Sequence, residues 1–318
     1  MKNDQLKTPI LFIVFNRLDT TRQVLKTIRQ AKPQRLYVVS DGARKHFEGE
    51  TKKVKAIREY VIEHIDWTCE VKTLFRTENL RCGPSVKLAI DWFFEHEEMG
   101  IILEDNVCPV NSFFRFCEEL LSKYHFDERI GMISGNNHLG FMPKQDSYLF
   151  SRYKGCWGWA TWKRAWENMD FEMNWLASEY KNQIIENMGF GNVSSEYWKN
   201  KIDHIQKGIV SAWDWQWYFS IASQGQLCIF PKHNLAANIG FGSDATHTFG
   251  KPKKEYLEIK EISFPLSHPK YILANNVHDE LFENKKLKQN LLVRLLPVWA
   301  KTFIKIILNT VRKIKWEK

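Results

Sequence analysis

A chain of 318 residues that is 44% hydrophobic and 14% aromatic can bury a large core, which excludes a disordered or fibrous protein. The formal charge of +9 says little until it is located: residues 285–318 hold ten Lys or Arg and one acid, Glu317, which leaves residues 1–284 with 36 charges of each sign. A neutral body with a basic tail argues against a nucleic-acid groove and for an electrostatic anchor at one end.

The N-terminus carries only a short apolar run between Pro9 and Asn16, without the longer apolar region and small-residue cleavage site of a signal peptide. It reads as a buried strand of a cytoplasmic protein. Cys69, Cys82, Cys108, Cys117, Cys156 and Cys228 form no CxxC pair and lie far apart, as expected of buried thiols in a reducing compartment rather than a disulfide framework or zinc site.

The first 135 residues repeat one pattern, an apolar strand, a turn and an amphipathic helix. "PILFIVF" is followed by Asp19 and Thr20 as caps for "TRQVLKTIRQA", and "RLYVVSDG" ends in a turn before "TKKVKAIREYVIEHI". "CEVKTLF" precedes "SVKLAIDWFFEHE", "GIILEDN" precedes "SFFRFCEELLSKY", and "RIGMISG" closes the series. Such alternation predicts an α/β fold, a mostly parallel sheet flanked by helices, with ligands beyond the carboxyl ends of the strands. Three strands end there in polar clusters: Asn16-Arg17, Ser40-Asp41-Gly42 and Glu104-Asp105-Asn106. The run of acids after "GIIL" is therefore a strand end facing a crevice.

Nine of the thirteen tryptophans fall between Trp157 and Trp217, in "CWGWATWKRAW" and "SAWDWQWYF" among other segments, so this half either stacks on sugar faces or fills a core. For any single tryptophan the core is the default. No linker rich in Gly, Pro or Ser divides the chain, which predicts one compact unit with two lobes.

In order along the chain, "TPILFIVFNR", "VVSDG", "GIILEDNVCPVNSFFRF", "GCWGWATWKRAW", "WDWQW" and "NIGFGSDATHT" resemble the segments of GT-A glycosyltransferases, particularly bacterial nucleotide-diphospho-sugar transferases. They are distantly similar to the N-acetylglucosaminyltransferase I family. The resemblance covers residues 8–250 and implies a GT-A domain over 1–250, with a nucleotide-binding half (1–135) and an acceptor-binding half (136–250). Residues 251–290 would connect it to a basic amphipathic helix at 291–318.

The resemblance implies a UDP-sugar donor, a glycan or glycolipid acceptor and inverting transfer. A diphosphate donor calls for a hard divalent cation, Mn2+ or Mg2+, on oxygen ligands. Asp105, Asn106 and His247 would supply them. Asn106 stands where the family has an acid and brings no negative charge, so cation affinity falls or Asp105 takes over; complete loss of metal function would leave a degenerate sugar-nucleotide-binding protein. Asn16, Arg17, Asp41, Glu104, Asp105, Trp157 and Gly158 correspond to the donor pocket. Arg17 suits a diphosphate as a planar donor, and Asp41 suits the base or ribose, although "SDG" is also an ordinary turn. Asp214, between two tryptophans, is the candidate general base, the alternative being a helix cap. Asp244 is a weaker neighbour of His247, and Gly240 and Gly242 would let the loop close over the donor.

From Pro297 onward a helix would align Arg294, Lys301, Lys305 and Arg312 opposite Trp299, Phe303, Ile306, Ile307 and Ile314. No charge-free run reaches the roughly 20 residues that span a bilayer. A cationic amphipathic helix lies on an anionic membrane surface, here the inner face of the cell membrane, or packs on the body or on a second subunit as a homodimer.

Overall fold

The computed structural model describes residues 5–137, 139–140, 142, 146–189, 191–240 and 258–288. A mixed eight-stranded sheet runs through both halves of the chain in the order β3-β2-β1-β4-β8-β6-β9-β7. Its first half is parallel and follows the repeat in the sequence: β1 (Ile10–Val14), β2 (Arg35–Ser40), β3 (Glu70–Phe75) and β4 (Met99–Glu104) pair side by side. Between them run α1 (Leu18–Ala31), α2 (Glu50–Glu63) and α3 (Cys82–Phe94).

Period-2 alternation assigns each side chain to a face. Ile10, Phe12 and Val14 pack with Val24, Leu25 and Ile28 of α1 and with Ile57 and Val61 of α2. Leu11, Tyr37 and Val39 pack on the other face with Val86, Ala89, Ile90 and Phe93 of α3. Both faces are thus covered, which explains strands that read as unbroken apolar runs.

The second half joins the same sheet with antiparallel insertions. β6 (Ile130–Ser134) and β9 (Leu227–Pro231) are parallel; β8 (Trp159–Trp162) runs antiparallel between β4 and β6, and β7 (Tyr148–Ser151) antiparallel to β9 at the edge. A two-stranded ribbon of β5 (Val107–Pro109) and β10 (Ala236–Asn238) folds over the end of β4. The helices here are α4 (Asn111–Lys123), α5 (Lys163–Trp166), α6 (Lys181–Glu186), α7 (Asn192–Gln206), α8 (Asp214–Ser223) and α9 (Asn276–Phe282).

Most of the clustered tryptophans fill this half. Trp159, Trp162, Trp166, Trp175, Trp198, Trp213 and Trp217 are buried, with Trp159 stacked on Trp213 at 5.6 Å between ring centroids. Trp157 and Trp215 are only partly buried. All six cysteines are free, Cys117 and Cys228 buried and the other four partly exposed.

One local expectation fails. Asp19 and Thr20 lie inside α1 rather than capping it; Arg17 is the capping position and makes no side-chain cap. The hydroxyls of Thr20 and Thr21 donate back to Arg17 O at 3.3 and 2.6 Å, a local bond that threonine offers within a first turn. Among the described residues no helix is long and apolar enough to cross a membrane. The proposed basic helix at 291–318 lies outside them.

Candidate active site

The carboxyl ends of β2, β1 and β4 are neighbours because these strands are parallel and adjacent, and a cavity of about 700 Å³ opens beyond them. Asn16, Arg17, Asp41, Glu104, Asp105, Asn106, Trp157 and Asp214 all line it. Three strand ends and the start of α8, up to 198 positions apart in sequence, therefore share one chamber. Gly158 does not line it. With φ of 64° it shapes the turn into β8, and a Cβ there would lie 3.0 Å from that of Ala236.

At the end of β4, Asp105 is buried; its carboxylate accepts from Phe15 N–H at 3.2 Å and lies 3.8 Å from an Arg17 guanidinium nitrogen. Burial nonetheless holds Asp105 up at about 6, with Arg17 and the Phe15 amide pulling the other way. Glu104 is pushed up to about 7, first by burial and then by the charges of Asp105 and Asp214, against the opposing pull of Arg17. At Glu104 the charges of Asp105 and Asp214 each outweigh the pull of Arg17, so this end of the chamber favours an added positive charge.

Asn106 turns sideways. Its Nδ2 donates to Asn238 Oδ1 at 3.3 Å, an oxygen that also accepts from Gly240 N–H at 2.9 Å, and Ile239 N–H donates to Asn106 O at 2.8 Å. The β5–β10 ribbon thus fixes the amide, and its Oδ1 is left buried without a hydrogen-bond partner. An orphaned amide oxygen and two carboxylates on residues that line one cavity are hard oxygens of the kind that suit Mn2+ or Mg2+, ions that take one or two carboxylates and complete their shell with phosphate and water. No cluster of three or more His, Cys, Asp or Glu able to hold a metal occurs among the described residues. His247, Asp244 and Gly242 lie outside them.

On the β2 side, Asp41 is buried and accepts Leu80 N–H with both oxygens, at 3.2 and 3.0 Å. Burial raises its carboxyl above the ordinary range, offset in part by Leu80 and Gly42 amides and by Arg76. Arg58 spans the same strand end, donating to Ser40 Oγ and to the carbonyls of Ser40, Asp41 and Arg76.

Several groups in or behind the cavity wall escape sequence reasoning. Glu50, at the first turn of α2, is buried and binds both Asn16 and Arg44. Arg44 in turn lies 3.6 Å over the Phe47 ring. In the sequence Glu50 is one acid among the charged residues that open a helix; nothing local marks it. Cys82 and Cys156 line the chamber as neutral thiols, Cys82 pushed up to about 12 by burial, then by Glu104 and Asp214. Trp157, Trp213 and Trp215 give the cavity an aromatic surface, with the Lys201 ammonium 4.2 Å over the Trp215 ring.

No protein-family model matches the chain, and no curated protein matches it. Among solved structures it is similar to the mannosyltransferase PcManGT from Pyrobaculum calidifontis in complex with GDP-Man and Mn2+, at 12% identity and a TM-score of 0.40, over 77% of this chain and 60% of that one. It is similar to HddC from Yersinia pseudotuberculosis at 11% identity and a TM-score of 0.30, over 53% and 85%. The glycosyltransferase GlyE of Streptococcus pneumoniae TIGR4 gives 10% identity and a TM-score of 0.31, over 72% and 55%. The chain thus spans about three fifths of the mannosyltransferase it matches. Likenesses this distant do not decide a reaction.

Proposed function

We propose that this protein is a GT-A glycosyltransferase that moves a sugar from a UDP-sugar to a glycan acceptor with inversion. The observation that carries the reading is the meeting of Asp214 with Glu104, Asp105 and Arg17 in one cavity with an aromatic wall. Such a chamber offers what the reaction requires: a cation-receptive acidic end for a diphosphate, flat apolar surfaces for a sugar, and a separate carboxylate for the acceptor.

Asp41 and Asn16, each held by the protein's own hydrogen bonds, bound the nucleoside end. Arg17 faces the diphosphate while tethered to Asp105. A divalent cation held by Glu104, Asp105 and Asn106 Oδ1 would neutralise the departing diphosphate. Asp214 removes the acceptor hydroxyl proton as its oxygen attacks the anomeric carbon, because a neutral alcohol is a poor nucleophile. The choice of uridine rests on the resemblance of the strand-end motifs. The choice of a lipid-borne surface glycan, as in lipopolysaccharide or capsule synthesis at the inner face of the membrane, rests on the basic tail.

Asp214→Asn tests the central assignment. Turnover, followed as UDP release with a panel of acceptors, falls by roughly 10²-fold or more while donor affinity stays within about twofold. Near wild-type turnover removes Asp214 from the mechanism.

A further inference from the structure

Arg81 has φ of 68° and ψ of 167°, a backbone region that essentially only glycine occupies without strain. The other described non-glycine residues with positive φ, Lys32 and Met173, sit close to ordinary left-handed helical values, at 48°, 60° and 55°, 45°. Arg81 is therefore the outlier, and it lines the cavity.

Its surroundings impose the conformation. Asn79 Nδ2 donates to Gly42 O at 2.8 Å, and Asn79 Oδ1 accepts Arg81 N–H at 3.2 Å. Leu80 N–H is spent on Asp41. Two residues later Gly83 N–H donates to Ser211 Oγ at 3.2 Å, and a Cβ on Gly83 would lie 2.7 Å from Ala212 O. The loop is thus pinned to the end of β2 on one side and to the lead-in of α8 on the other. Strain of this kind persists only where neighbours over-determine it.

A glycine at position 81 would relieve the strain, so the arginine side chain is what the loop retains at a cost. Arg17 and Arg44, which also line the cavity, lie on the carboxylates of Asp105 and Glu50. The Arg81 guanidinium is exposed and has no acceptor among the described residues. It is a planar fork with unspent donors, suited to bidentate pairing with phosphate oxygens.

We propose that Arg81 binds the diphosphate of the nucleotide donor, and that the strained loop from Asn79 to Arg81 is kept because it carries that guanidinium to the anion. The inference rests on the donor-site reading above and adds a binding residue to it.

Calorimetric titration of the full chain with UDP, GDP and CDP, and with uridine, guanosine and cytidine, tests it in Mn2+ and in chelator. For the diphosphate that wild type binds most tightly, Arg81→Gly weakens binding roughly tenfold or more, Arg81→Lys weakens it less, and affinity for the parent nucleoside is unchanged. The melting temperature of Arg81→Gly equals or exceeds that of wild type, because glycine accepts the backbone angles. Equal diphosphate affinity in wild type and Arg81→Gly overturns the proposal, as does an equal loss for nucleoside and diphosphate, which marks a role in loop shape alone. A lowered melting temperature for Arg81→Gly overturns the claim that the side chain strains the loop. A wild-type chain that binds none of the three diphosphates overturns the donor-site reading itself.

Discussion

Asn16 Nδ2 donates to Glu50 Oε1 at 2.8 Å, joining the carboxyl end of β1 to the first turn of α2 across 34 positions of sequence. The same carboxylate takes the guanidinium of Arg44 and the Arg44 backbone N–H at 2.7 Å. Burial pushes Glu50 up, yet these Arg44 and Asn16 bonds outweigh it and hold the carboxyl below its ordinary value.

Removing that hub releases two cavity walls together. Glu50→Ala leaves the Asn16 amide and the Arg44 guanidinium without their shared acceptor, at about 1–3 kcal/mol of stability. Donor affinity falls with it, since both residues line the cavity. Denaturant melts and donor titration of the variant check this; unchanged donor binding means that neither group depends on Glu50 for its position.

The acids at the end of β4 set a pH dependence. Glu104 at about 7 and Asp105 at about 6 stand above their ordinary 4.5 and 3.8. A carboxyl raised on folding favours the protonated native state, so its contribution is full below about pH 4 and is lost as pH rises through 6 to 7. Each unit of displacement corresponds to about 1.4 kcal/mol. The melting temperature of the cation-free chain falls between pH 5 and pH 8, and Glu104→Gln flattens much of that fall. Melts in chelator across the pH series measure it, and a flat wild-type profile would refute it.

Asn106→Asp acts in two directions. The added charge beside Glu104 and Asp105 tightens Mn2+-dependent UDP binding, because hard cations favour carboxylate. The oxygen that replaces Nδ2 meets Asn238 Oδ1, which is already an acceptor, so the metal-free variant loses about 1–3 kcal/mol. Donor titrations with and without Mn2+, paired with melts in chelator, separate the effects. Unaltered metal dependence means that the orphaned Oδ1 does not face the cation.

Deleting residues 291–318, with their basic excess, releases the chain from vesicles containing anionic lipid, and salt weakens binding of the intact chain. Vesicle sedimentation with the two chains checks it. A truncated chain that unfolds or changes its oligomeric state assigns the segment to the body or to a subunit contact instead.

The sequence by itself determined the strands and helices of the first half and the three polar strand ends. These depend on local apolar period and on short motifs, and parallel neighbours must bring such ends together. It also set the two roles open to the tryptophans without choosing between them. Tertiary structure chose: Trp159 and Trp217 are buried deep in the core, whereas Trp157 and Trp215 face the cavity, a division that depends on which strand or helix each one meets. The antiparallel insertion of β8, the sideways clamp on Asn106 and the hub at Glu50 are likewise contacts between distant segments. Arg81 shows the same limit most plainly, because the residues that flank it, Asn79, Leu80 and Gly83, are pinned to Gly42, Asp41 and Ser211, all distant in the chain.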